Sequence, residues 1–189
     1  MKMVVAVRKM ALMLMSCSGL LWMNGAGAVD VQIKITGEIH IPPCKINGND
    51  ADLSVSFGKI ALQKVDGQNY AKTDNVLKLD CEYYQGKPYI RLEGNVMPGA
   101  ADNVLRTEGA NPSSLGIALY QGDGVNPSYP LRVGAGEQGK YGYEIRKGLS
   151  AVNARISNFT FTAVPYKQGS GDLQAGTFTA AVTMSVSYL

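Results

Sequence analysis

The chain ends on a nearly unbroken alternation of apolar and polar side chains. Phe178, Ala180, Val182, Met184, Val186 and Tyr188 fall on one side, and Thr177, Thr179, Thr183, Ser185 and Ser187 on the other. A period of two residues marks a β-strand with one buried and one wet face. A second such pattern occupies 29–39, where Val31, Ile33, Ile35, Gly37 and Ile39 share a face opposite Asp30, Gln32, Lys34, Thr36 and Glu38. Pro42 and Pro43 end it, because proline cannot donate to a ladder. Between the two ends the pattern predicts strands at 53–57, 76–81, 89–93, 117–121, 141–146 and 155–165. They are separated by turn signals at Asn47-Gly48, Asp66-Gly67, Gln85-Gly86, Asp123-Gly124 and Gly169-Ser170-Gly171. No stretch carries a sustained apolar stripe of helical period. The expected fold is an all-β sandwich.

The segment before the first alternation reads as an address. Lys2, Arg8 and Lys9 precede an apolar run to Met23, and Ala26 and Ala28 supply small residues before a cleavage point. This is the layout of a secretory signal peptide over 1–28. The competing readings are a membrane anchor, for which the run falls short of the roughly 20 apolar residues a spanning helix needs, and a lipidated Cys17. Removing the three basic residues leaves 15 Lys+Arg against 15 Asp+Glu. The positive balance therefore belongs to the leader, and no excess field remains to attract a nucleic acid.

Removing the leader also removes Cys17. Cys44 and Cys81 remain, and an oxidising compartment makes a disulfide the default for such a pair, with two free buried thiols as the alternative. No metal site is expected, since His40 is the single histidine and no Cys-x-x-Cys spacing occurs. No catalytic or cofactor-binding constellation is present either. Ser113 and Ser114 have no second histidine to act as base, and Gly134 and Gly136 do not open a helix after a strand. Asp50 and Asp52 read as solvated turn residues. Tyr83, Tyr84, Tyr141 and Tyr143 could stack against a sugar, but strands favour tyrosine in any case.

These residues resemble a family. The alternating start, the paired Cys44 and Cys81, and the terminal pattern from Gly176 through Phe178 to the penultimate Tyr188 are similar to those of structural subunits of chaperone–usher pili in Gram-negative bacteria. Within that family the chain is most similar to the minor tip-adaptor type of P pili. The runs that carry this are 30–33 (DVQI), 41–44 (IPPC), 116–122 (GIALYQG), 159–162 (FTFT) and 169–171 (GSG). The resemblance implies an incomplete immunoglobulin-like β-sandwich lacking its final strand, completed by donor-strand complementation. It implies a donor extension at 29–39 and a pilin domain at 40–189. Val31, Ile33, Ile35 and Ile39 would enter a neighbour's groove, with Gly37 on the same face where a side chain would crowd. Phe178, Ala180, Val182, Met184, Val186 and Tyr188 would line this subunit's own groove. The implied partners are a periplasmic chaperone, an outer-membrane usher and neighbouring subunits including an adhesin, and the implied destination is the cell-surface fimbrium. A tip-fibrillum or rod subunit and a sugar-binding adhesin are the alternatives.

Overall fold

The computed structural model describes residues 32–137 and 139–189. The leader and the start of the expected donor extension, Val29, Asp30 and Val31, lie outside the described residues. The chain divides into Met1–Glu38 and Ile39–Leu189. The second unit is built of short strands with two single-turn 3-10 helices, Leu62–Lys64 and Gly139–Tyr141.

The strands are β1 (Lys45–Ile46), β2 (Lys72–Asp80), β3 (Pro88–Gly94), β4 (Val104–Arg106), β5 (Glu108–Gly109), β6 (Leu115–Gln121), β7 (Tyr143–Glu144), β8 (Ile156–Lys167), β9 (Phe178–Thr179) and β10 (Val182–Tyr188). One antiparallel sheet has the order β1-β2-β8-β6-β4, a second has the order β10-β3-β7, and β5 pairs with β9. The turn signals act as expected. Gly48, Gly67, Gly86 and Gly124 all have positive φ, a conformation open to glycine without steric cost.

The main core joins the inner faces of the two larger sheets. Leu77 and Leu79 of β2, Ile117 and Leu119 of β6, and Phe159 and Phe161 of β8 meet Ile90 and Leu92 of β3 and Val186 and Tyr188 of β10. A smaller cluster of Met97, Val104, Ala118 and Val164 is separate from it. Both β6 and β8 are thus buried on two faces along part of their length. This is why 115–119 of β6 and 163–165 of β8 read as short apolar runs, while 159–162 of β8 still alternates. Buried Gln121 knits the loops around β6. Its Oε1 accepts from the Arg146 N–H at 2.8 Å, and its Nε2 donates to the Glu144 carbonyl at 3.2 Å.

Cys44 and Cys81 form a disulfide across a separation of 37 residues, beside the β1–β2 pairing. Closing a loop of that length restricts the unfolded chain by about 4 kcal/mol on the chain-entropy account. Cys44→Ser should therefore lower the unfolding free energy of a strand-complemented subunit by about 2–5 kcal/mol. Urea titration of oxidised and variant chains checks this, and equal midpoints would contradict it.

Several expectations need correction. The 53–57 segment forms no strand among the described residues, although Val55 and Phe57 are half-buried. The expected strand at 141–146 shrinks to the two residues of β7, because a 3-10 turn occupies Gly139–Tyr141. Residues 32–40 form no strand and are exposed throughout. The terminal strand is interrupted: Ala180 and Ala181 lie off the ladder between β9 and β10. Asp50 is more than a solvated acid, since its carboxylate accepts the Ile46 N–H at 2.8 Å and closes the turn after β1.

Candidate functional site

The apolar face of the terminal strand is buried unevenly. Val186 and Tyr188 are fully enclosed, Val182, Met184 and Phe178 are half-buried, and Ala180 is exposed. Phe178, Val182 and Met184 all pack against the main core, as do Val55 and Phe57 from the unpaired segment. The core is therefore closed at the Tyr188 end and progressively open toward Phe178.

The backbone along this opening is also unsatisfied. Lys87 and Leu189 exchange both of their hydrogen bonds, N–H to O at 2.7 and 2.9 Å. Antiparallel pairs alternate between bonded and non-bonded, so Ser187, Ser185 and Thr183 turn their polar groups toward β3. Val186, Met184 and Val182 turn theirs toward the free edge. One of these groups is taken, because the Cys44 N–H donates to the Val186 carbonyl at 2.7 Å. Among the described residues no backbone group bonds to the outward groups of Met184 or Val182.

The chain after Cys44 draws the other side of the opening. It leaves β10 at Val186, pairs with β2 through Lys45 and Ile46, and passes beside Lys72 to Val76 at 53–56, across a cleft of about 420 Å³. It returns to the terminal strand at Phe57, whose ring lies 6.2 Å from that of Phe178. The groove is thus bounded at one end by Cys44 and Val186, and at the other by Phe57 and Phe178. Eight residue intervals separate Val186 from Phe178, at most about 26 Å of chain, because Ala180 and Ala181 leave the ladder between them.

The Phe178 end is anchored separately. β9 pairs with β5, Gly109 opposite Phe178 and Glu108 opposite Thr179. Gly109 has φ near 97°, and a Cβ there would meet the Thr177 carbonyl at 2.5 Å, so glycine is required. The terminal segment therefore changes partner at Ala180 and Ala181, from β5 to β3. A polar cleft of about 430 Å³ opens at this break, lined in part by Asn95, Arg106, Glu108 and Thr179.

At the closed end, the Tyr188 and Ser157 hydroxyls are buried without a well-formed hydrogen bond. Burial pushes the Tyr188 phenol above its ordinary value, while the nearby Ser157 hydroxyl pulls weakly the other way. A raised phenol contributes stability below its unfolded value of about 10 and loses it as pH climbs through the folded value. Stability should fall above about pH 10, and fall less steeply in Tyr188→Phe. Denaturant titrations of both chains at pH 8 and pH 11 test this; parallel declines would contradict it.

The remaining candidates are placed as follows. Ile33, Ile35 and Ile39 are 81%, 90% and 102% exposed. Gly37 has nothing among the described residues within 4 Å of a built Cβ, and its φ lies outside the left-handed region. The described chain therefore supplies no steric reason for glycine there. His40 is exposed. Tyr84 packs against the core, Arg132 lies over the Tyr143 ring at 5.5 Å, and Lys140 over the Tyr141 ring at 5.4 Å. These tyrosines serve packing and cation–π contacts. Sequence reasoning missed the second wall at 53–57, whose alternation resembles any strand. It also missed the Cys44–Val186 bond, which no local pattern encodes.

A family model described as Fimbrial protein matches residues 33–189. The chain belongs to the fimbrial protein family. Two relatives from Escherichia coli each align over 169 residues, 89% of this chain and 94% of theirs. They are the fimbrial adapter PapF, at 40% identity, and the minor fimbrial protein PrsF, at 41%. Among solved structures, that of the P pilus adaptor subunit PapF has 34% identity and a TM-score of 0.50, covering 80% of this chain and all of that one. The P pilus rod subunit PapA, at 17% identity and TM-score 0.55, covers 78% of this chain and all of its own. At that identity PapA supports the fold alone. The all-β sandwich is thus of the immunoglobulin-like pilin type. This fimbrial protein is a structural subunit of a surface pilus of a Gram-negative bacterium, and its partners include neighbouring pilus subunits.

Proposed function

We propose that this chain is a minor tip adaptor that joins an adhesin to the pilus fibre by donor-strand exchange. The observation that carries the reading is the groove: half-buried Phe178, Val182 and Met184 lie along the open side of the terminal segment, where the outward backbone groups of Val182 and Met184 have no backbone partner among the described residues. An added strand there would bond to Val182 and Met184 and cover Phe178, Val182 and Met184. Chaperone–pilin donor-strand complementation is a known form of such β-augmentation. Val186 and Tyr188 support the groove floor from within, and Ala180 marks its more exposed end. An uncovered edge of this kind invites aggregation, so a periplasmic chaperone would occupy it until an outer-membrane usher passes the subunit on.

In this reading residues 1–28 direct export, 29–39 are the donor extension, and 40–189 are the pilin domain. Val31 through Ile39 also spans eight residue intervals, at most about 26 Å, the same number that separates Val186 from Phe178 along the groove of a like-built neighbour. Burying Val31, Ile33, Ile35 and Ile39 there would contribute roughly 6–12 kcal/mol before ordering costs. The 40% identity to a fimbrial adapter favours the adaptor role over a rod or fibrillum role.

Placement tests that role. Immunogold labelling of an epitope-tagged chain should mark one site per pilus, at its end. Labelling distributed along the shaft would reassign it as a rod or fibrillum subunit.

A further inference from the structure

We infer that the pole of the sandwich around Cys44 is a second contact surface for the same neighbouring subunit that receives the N-terminal extension. The inference rests on the donor reading of 29–39 and adds a surface outside the groove.

The tether is too short for the neighbour to be anywhere else. Ile39 is the last inward residue of the extension. Cys44 is fixed to this sandwich by its disulfide and by its bond to the Val186 carbonyl. Five residue intervals separate them, at most about 18 Å. Two of the tether residues are Pro42 and Pro43, whose locked φ values favour a stiff, extended path. A neighbour holding Ile39 in its groove must therefore stand against the Cys44 pole.

That pole carries exposed apolar side chains. Tyr83 is 44% exposed, Val152 56% and Ile156 64%. Their positions are tied together by the backbone. Ile156 pairs with Asp80, which pairs in turn with Lys45. The Cys81 N–H donates to the Arg155 carbonyl, and the Gly86 N–H donates to the Asn153 carboxamide at 3.0 Å. Two ion pairs, Arg155 with Asp80 at 2.9 Å and Lys45 with Glu82 at 3.8 Å, involve residues next in sequence to, or paired with, these apolar positions. Exposed apolar side chains with charged groups beside them fit the anatomy of a protein contact. With a stiff tether beside it, such a contact would hold adjacent subunits at a fixed angle.

The test uses the full-length chain in assembled fimbriae. A photo-crosslinking amino acid replaces Ile35, Val152, Ile156 or, as a control, Ser170. Ser170 lies beyond Lys167, the opposite end of the 12-residue β8 from Ile156. Crosslinks from Val152 and Ile156 to the same subunit that Ile35 captures, with none to it from Ser170, are the expected result. Capture by Ile35 alone would overturn the second surface and leave the donor reading standing. Capture of that subunit from Ser170 would also overturn the surface. Assembled fimbriae in which Ile35 captures no subunit would overturn the donor reading, and this inference with it.

Discussion

Deleting 29–39 while keeping 1–28 should leave a subunit that folds, is captured by its chaperone, and yet never joins the subunit it normally enters. Residues 32–40 form no strand, and Ile33, Ile35 and Ile39 are exposed. The main core contains none of them. Removing them therefore costs the sandwich little, while the junction loses roughly 6–12 kcal/mol of apolar burial. Every 1.4 kcal/mol is about a factor of ten in affinity, so assembly through this junction should fall below detection. Chaperone co-purification measures the first part, and pilus incorporation the second. Normal incorporation of the deletion would remove the donor assignment; loss of the chaperone complex would show that 29–39 belongs to the fold.

The groove itself predicts a split between neighbouring positions on one strand. Val186 and Tyr188 are fully buried. A carboxylate at either position would be placed inside the core, at a cost above about 4 kcal/mol, and the subunit should not accumulate at all. Met184 and Val182 share the same face but are half-buried beside the opening. Met184→Asp should leave an isolated, chaperone-free refolding yield near normal, because water reaches the new charge. It should still weaken binding of any incoming strand by about 100-fold or more, since that strand would bury the charge. Strand dissociation from the two classes of variant separates the effects. Equal behaviour of Val186→Asp and Met184→Asp would argue that the face is either wholly core or wholly surface.

The legibility of this fold follows burial symmetry. β3 and β10 each face the core on one side, so alternation located β3 within a residue at each end and β10 at its C-terminal end, though not at its start. Parts of β6 and β8 showed as apolar runs, around Ala118 and Val164, because a second cluster covers their other face there. The short strands β4 and β5 were not visible, since two or three residues give no period. At the site, the alternation of 178–188 placed six apolar side chains on one face, of which Phe178, Val182, Met184, Val186 and Tyr188 lie in or against the main core. It could not reveal that Ala180 and Ala181 leave the ladder, because that break depends on Phe178 pairing with Gly109, some 70 residues earlier in the chain. Nor could it show where the groove ends, which is decided by Cys44 at Val186 and Phe57 at Phe178. The alternation of 29–39 is equally clear, yet those of its residues that are described form no strand. A pattern records what a segment is suited to cover, not which molecule it covers.

The central claim is that the free edge of β10 is a vacancy for an alternating strand. Amide hydrogen exchange on a rearranged chain tests it most directly. Residues 29–39 are moved to follow Leu189 through a short flexible linker, and exchange is compared residue by residue with the chaperone-free original. The Val182 and Met184 amides point to the open edge, whereas Thr183 and Ser185 already face β3. Slowing at Val182 and Met184 by about 100-fold or more, in a monomer that needs no chaperone, is the predicted result. Amides at Val182 and Met184 that continue to exchange as fast as in the original chain would contradict the account.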